Sequence, residues 1–306
     1  MRVVLLPTGR AEWHGLPAAF ERLFPDHDFD VVPDRAVEQV GELDDQLLRS
    51  FTSSRLTLES APGNLTQLVR HAAAEALGER RREAAGLVVV LDDLELVNAD
   101  QPEVVLEVVR RAVERHLADL PQNARSRKRT REALRNRVSF HLAVPMVEAW
   151  LFADPCGPAN AGKPAEAVLQ LAPGCDPERF ETRDFRYDAA GPNGCVCWEA
   201  LTDRQKRKHP VPWMRTDRAR HPKAYLSWLC RSPFERNCSS YRETSGGAKA
   251  LRQLDWSSVL GNPQQMCWLR SLVADMADVL GIPATGQWVG EQRSDHLDDR
   301  RVLRNL

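Results

Sequence analysis

Three acidic side chains behind one apolar run set the chemistry open to this chain. In Leu87–Asn98, LVVVLDDLELVN, five apolar residues lead into Asp92, Asp93 and Glu95. Carboxylates are hard oxygen donors, and two on one face can hold a divalent cation such as Mg2+ or Mn2+. Asp93 and Glu95 are two residues apart, so continued extended backbone would turn both to one face and Leu94 to the other. The same acids also suit turns and helix caps, because Asp accepts from free backbone N–H groups. A further acid, Glu148, stands in PMVEAWLFAD behind the apolar run Val138–Val144. In the first turn of a helix it would also favour the positive end of the dipole. Glu12 follows the first apolar run. It reads as an exposed loop acid or, if the loop folds back, as another member of the group. Lys223, in HPKAYL, opens a helical stretch and reads as a solvated lysine or as a fixed cation for a phosphate.

The elements that must position these residues follow from the hydrophobic pattern. Arg2–Leu6, Phe29–Pro33, Leu87–Leu91 and Val138–Val144 are short apolar runs, the mark of strands buried on both faces. Pro7–Gly15 reads as a turn-rich loop, Leu16–Phe24 as a helix, and Val37–Phe51 as mixed with helical character. Asn64–Glu83 has helical spacing, with Gly86 closing it. Pro102–Leu120 is a second amphipathic helix with Pro102 in its first turn. Alternating strands and helices predict an α/β fold with a mostly parallel sheet. The acids then fall on the carboxyl edge, where open α/β sheets bind ligands. The domain reading is a core over 1–154, an irregular insertion over 155–220, a helical part over 221–285 that completes the core, and a polar, mobile tail over 286–306. Within the insertion, Cys195–Leu201 is strand-like. Tyr241–Leu254 reads as a Gly-containing turn into a helix, and Asn262–Leu280 as the last strong helix.

With 306 residues, 42% of them hydrophobic, the chain is long enough for one large domain or two modest ones. A net charge of −1 points to no partner, but charge is clustered. Arg125–Arg137, RSRKRTREALRNR, holds seven basic residues against one acid. It reads as a solvated helix face, a mobile loop, or a backbone-binding patch for DNA or RNA through Arg125, Arg127, Lys128, Arg129 and Arg131. Arg204–Lys208 and Arg215–Lys223 add further basic clusters. No apolar run approaches a membrane span, and the first apolar stretch is short for a signal peptide. A cytoplasmic location is expected, with reduced thiols. The seven cysteines form no CxxC pair, and a zinc site from Cys175, Cys195, Cys197 and His209 fits no usual spacing.

Taken together, LVVVLDDLE, PMVEAWLFAD, HPKAYL and YRETSGGAKAL resemble the Toprim-like proteins. The likeness is to a bacterial family that often accompanies an ATPase and, more distantly, to the nuclease part of the overcoming-lysogenisation-defect proteins. It covers about residues 1–15, 85–155 and 220–280, and EAWLFAD is its most specific piece. Two departures stand out. Glu95 replaces the second Asp of the family's Asp-x-Asp, and Leu5 or Leu6 stands where a Glu normally follows the first strand. The resemblance implies a Toprim-like nuclease in which Asp93, Glu95 and Glu148, with Asp92 adjacent, ligate Mg2+ or Mn2+. Lys223 would face the phosphate, and Glu12 would replace the missing first Glu. It also implies an ATPase partner in a phage-defence type system, with homo-oligomerisation left open. The departures favour an alternative, a catalytically degenerate scaffold that binds an ATPase or nucleic acid. Trp150 and Trp228 suit base stacking or, with their apolar flanks, the core. A nucleotide-binding enzyme on a similar sheet has little support, since Ser245-Gly246-Gly247 with Lys249 is a weak phosphate cradle.

Overall fold

The computed structural model describes residues 1–34, 36, 46–79, 83–121, 123–190, 218–231, 241–283 and 301–306. Four strands, β1 (Val3–Pro7), β2 (Phe29–Val31), β3 (Leu87–Asp93) and β4 (Val138–Ala143), form one sheet in the order β2-β1-β3-β4. All three pairings are parallel. The register pairs Pro7 with Leu91 and Asp93 with Ala143, so the carboxyl ends of β1, β3 and β4 share one edge. This is the α/β fold that the alternating pattern predicts.

Each side of the sheet carries its own core. Val4, Leu6, Val88 and Val90 face a layer built by α2 (Gly63–Leu77) and α3 (Pro102–Asp119). Val3, Leu5, Val89 and Leu91 face the other layer, which holds α1 (Arg10–Leu23), α5 (Pro222–Leu229), α6 (Ala248–Arg252) and α7 (Cys267–Leu280). Alternation along a pleated strand produces the split. Leu5 and Leu6 are therefore both core residues. Trp150 and Trp228 are buried as well, so packing and not base stacking is their role.

Several elements depart from the sequence expectation. α1 begins at Arg10, six residues before the predicted start at Leu16, and it continues through Pro17. The stretch Pro7–Gly15 is thus mostly helix, held in place by burial of Ala11 and Trp13 against the sheet. α2 stops at Gly78, whose left-handed φ of 73° closes the helix, so Gly86 is not its cap. The described part of the insertion has short helices, turns and an isolated bridge between Leu171 and Thr182, and its predicted strand at Cys195–Leu201 lies outside the described residues, as do residues 37–45 of the second helical stretch.

The end of the polar tail is packed against the sheet. Val302, Leu303 and Leu306 are buried. The Asn305 side chain accepts from the N–H of Phe140 at 3.0 Å and donates to its carbonyl at 2.7 Å. The Arg304 N–H donates to the Val138 carbonyl at 2.7 Å, so these residues cover the open edge of β4 that would otherwise offer unpaired backbone. Among the described residues, no helix is long and apolar enough to cross a membrane.

Candidate metal centre

The pleat assigns the two aspartates of β3 to opposite layers. Asp92 faces the α2/α3 side. Its Oδ1 accepts from the Thr8 hydroxyl and, at 3.0 Å, from the Asp93 N–H. Its Oδ2 accepts from the Phe51 N–H at 3.1 Å. Burial raises its pKa to about 6, against the pull of these donors. Asp92 ties two loops to the sheet and is not placed to share an ion with the other acids. We expect Asp92→Ala to cost about 2–3 kcal/mol by stranding a buried N–H and hydroxyl. Denaturant melts should show that loss, with Mn2+ affinity per folded molecule retained.

Asp93 faces the other layer and is half-buried, so it keeps an opening to solvent. The strand ends there. Leu94 and Glu95 continue beside the exit from β4, their N–H groups donating to the carbonyls of Ala143 at 2.9 Å and Pro145 at 2.8 Å. Glu95 has a left-handed φ of 60°, so the extended run that would align it with Asp93 is broken. Its charge still acts on Asp93.

Glu148 is delivered by the neighbouring strand. After β4 the chain forms a tight 3-10 turn, Val147–Phe152, wholly buried. The Val147 N–H donates to Asp93 Oδ1 at 2.9 Å, which fixes the turn directly over the aspartate. Glu148 is 3% exposed. The Tyr241 hydroxyl donates to its Oε1 at 2.9 Å, and Lys223 Nζ lies 3.7 Å from the same oxygen. Lys223 comes from the first turn of α5, where the His221 side chain caps the helix and Pro222 starts it. Its ammonium also pairs with Glu243, in the π-helical turn Glu243–Gly247 before α6. Burial lowers the Lys223 pKa, but Glu148 and Glu243 outweigh it and hold the ammonium above its usual range. Burial, then Glu148, likewise keeps Tyr241 protonated well beyond the ordinary phenol range.

Glu12 completes the group. Because α1 starts early, Glu12 sits in the first helical turn and is 5% exposed, not an ordinary loop acid. Its carboxyl folds back over Gly9 so closely that a Cβ there would lie 2.2 Å from Oε2. Glycine is the residue that leaves this room. Burial, followed by repulsion from Glu148, raises the Glu12 pKa to about 8. Burial, then Glu12 and Glu148, pushes Asp93 well above the carboxylate range. Glu12, Asp93, Glu148, Glu95 and Glu243 are thus coupled electrostatically, and Lys223 is the cation that acts on them. Burial and mutual repulsion favour the protonated forms of Glu12 and Asp93, and a cation at the site would favour the ionised forms.

No family model, curated protein or solved structure matches the chain.

The donors available are carboxylates, which suit Mg2+ or Mn2+ and not a soft metal. As they stand, no three His, Cys, Asp or Glu side chains among the described residues are grouped closely enough to be an ion's ligands. Lys223 lies against Glu148 in this arrangement. The proposed zinc set lies largely outside the described residues, which include Cys175 but not Cys195, Cys197 or His209.

The basic run is elsewhere. It forms α4 (Ala124–Arg137), capped by Asn123, and leads directly into β4. Arg137 therefore stands at the amino edge of the sheet, about 20 Å from the acids by the length of a strand. Arg129 and Arg137 donate to the Leu77 and Ala76 carbonyls at the end of α2, and Arg127 to the Leu120 carbonyl at the end of α3. Cations suit helix carboxyl termini. Arg125, Lys128 and Arg131 are exposed on the same helix, as is Arg129. The structure does not bring this run to the acidic group.

Tyr241, Glu243 and Gly9 are members of the site that residue-by-residue reading does not single out. Tyr241 and Glu243 lie within YRETSGG, a stretch with a resemblance but no assigned role, and Gly9 sits in a stretch read as loop.

Proposed function

We propose that the chain is a metal-dependent phosphodiesterase of the Toprim-like kind, acting on nucleic acid from the carboxyl edge of the sheet. The observation that carries this reading is the burial of Glu12 against Gly9, coupled to Asp93 and Glu148. It supplies a first-strand acid by a different route from the one the family pattern uses. Glu12, Asp93 and Glu148 would hold Mg2+ or Mn2+, with Glu95 the next donor. A bound divalent ion supplies Lewis acidity and lowers the pKa of water at the site.

The chain's own residues account for the rest. Asp93 holds the turn that presents Glu148, and Tyr241 fixes the Glu148 carboxylate by donating to one oxygen. Lys223 offers a fixed positive charge to a phosphate oxygen as charge grows there. Glu243 keeps the ammonium at the mouth of the site. The resemblance adds an ATPase partner to this reading.

One observation favours the alternative, a degenerate scaffold: Lys223 already lies against Glu148, where a divalent cation would compete with it. The test is cleavage of plasmid and single-stranded oligonucleotides with Mn2+ or Mg2+. Nicking that disappears with EDTA and falls at least about 100-fold in Glu148→Gln supports the enzyme. Equal rates for wild type and Glu148→Gln, or no cleavage at all, supports the scaffold.

A further inference from the structure

The acidic site needs a surface that brings a polyanion to it, and α4 is at the wrong edge. A second group of arginines sits at the far end of α5 from Lys223. Lys223 is in the first turn of that eight-residue helix, Trp228 is near its end, and Arg231 follows it. The helix is about 12 Å long. The Arg231 guanidinium lies 4.3 Å over the Trp228 ring, and Arg186 lies 5.8 Å from the same ring. Arg218 lies 5.3 Å over Tyr187. Burial, and then the neighbouring Arg186, lowers the pKa of Arg231, as expected for two cations crowded on one indole.

Beside them is an aromatic side chain with no packing role. Phe185 is 68% exposed and stands between Arg183, also exposed, and Arg186. Asp184 is buried, pairs with Arg186 and accepts from the Tyr225 hydroxyl, so it offsets the charge of Arg186 and leaves the other arginines to the surface. Among the described residues of 181–190 and 218–231, Glu181 and Asp188 are the exposed acids, against Arg183, Arg186, Arg218, Arg220 and Arg231. The Tyr225–Asp184 bond fastens the patch to the helix that carries Lys223.

An exposed aromatic ring among arginines suits an unpaired base, which stacks on the ring while the guanidinium groups meet phosphates. Duplex nucleic acid offers no free base face. We propose that the face carrying Phe185, Arg183, Arg186 and Arg231 binds single-stranded nucleic acid and leads it toward Lys223. This proposal rests on the phosphodiesterase reading for its purpose, but its binding step needs no metal.

Fluorescence anisotropy with a labelled single strand of about 12 nucleotides, in EDTA, separates the two. Both substituted side chains are exposed, so folding is not at stake. Phe185→Ala and Arg183→Ala are each expected to weaken binding, Phe185→Ala by about tenfold. The wild-type affinity should fall with salt. Arg129→Ala with Arg131→Ala, on α4, is expected to leave it within about twofold, since those residues face the other edge. A matching duplex should bind more weakly than the single strand. Wild-type affinity in both Phe185→Ala and Arg183→Ala overturns the proposal. So does loss of binding on the α4 substitutions, equal affinity for the duplex, or no binding by wild type. No Mn2+ binding by wild type with strand binding intact would sink the catalytic reading and leave this one standing.

Discussion

Asp93→Asn and Glu148→Gln are each expected to weaken Mn2+ binding by at least about 100-fold, while leaving the fold in place. The size follows from the charge each removes. In a buried group of carboxylates, one ligand supplies both a donor atom and a share of the neutralising charge, and water replaces neither well. Both variants keep the shape of the side chain. The amide of Asp93→Asn keeps an oxygen to accept from the Val147 N–H, and the amide of Glu148→Gln keeps one to accept from the Tyr241 hydroxyl. Asp93→Asn removes like-charge repulsion, and Glu148→Gln gives up one ion pair of Lys223 but leaves its pair with Glu243, so the fold should persist in both. Gly9→Ala is a sharper companion. It replaces no acid, yet its Cβ would occupy the position of the Glu12 carboxyl. About a tenfold loss of Mn2+ affinity is expected, from displacement of one ligand alone. Calorimetric titration of the three variants measures all of this. Wild-type affinity in Glu148→Gln would mean that Glu148 answers only to Tyr241 and Lys223.

Without metal, the protein is expected to lose stability as pH rises from about 5 to about 8. Glu12 titrates near 4.5 when unfolded and near 8 when folded. Between those values the folded chain holds a proton that the unfolded chain has released. The unfolded state binds fewer protons in that window, so stability falls as pH rises through it. The contribution is present below about 4.5 and lost above about 8, on the order of 5 kcal/mol for a group shifted this far. Asp92 and Glu178, raised to about 6 and about 7, act in the same direction. The difference between wild type and Glu12→Gln isolates the Glu12 part. In EDTA, the wild-type melting temperature should drop on the order of 5–10 °C more than that of Glu12→Gln across this range. Saturating Mn2+ should reverse the drop, since a cation favours the ionised group. Parallel pH curves for the two proteins would show that Glu12 is not held protonated by its neighbours.

The fold and half of the site are legible in the residues themselves. A strand buried on both faces must be apolar throughout, so β1, β3 and β4 stand out, and the acids at the end of β3 and after β4 fall on one edge. The same pleat separates Asp92 from Asp93, and adjacency in sequence hides it. Glu12 is harder to see, because its burial depends on a helix that starts across Gly9 and Arg10, where turn residues dominate the local signal. Tyr241 meets Glu148 across 93 positions. Nothing local marks such a pairing, since a tyrosine and a glutamate are ordinary apart. The basic run shows the converse. Its charge is obvious from sequence, but its edge of the sheet follows from α4 preceding β4 and from three arginines donating to the ends of α2 and α3. The tail reads as mobile because it is polar, yet Asn305 and Arg304 use that polarity to pair with the backbone of β4.

The most direct measurement is anomalous diffraction from crystals soaked in Mn2+ at about pH 8, where about half of Glu12 is ionised before a cation binds. The account expects one strong peak within ligand distance of carboxylate oxygens from Glu12, Asp93 and Glu148, with Lys223 drawn away toward Glu243. No peak at that edge, with Lys223 still against Glu148, would contradict a metal centre and leave the lysine as the cation these acids are built around.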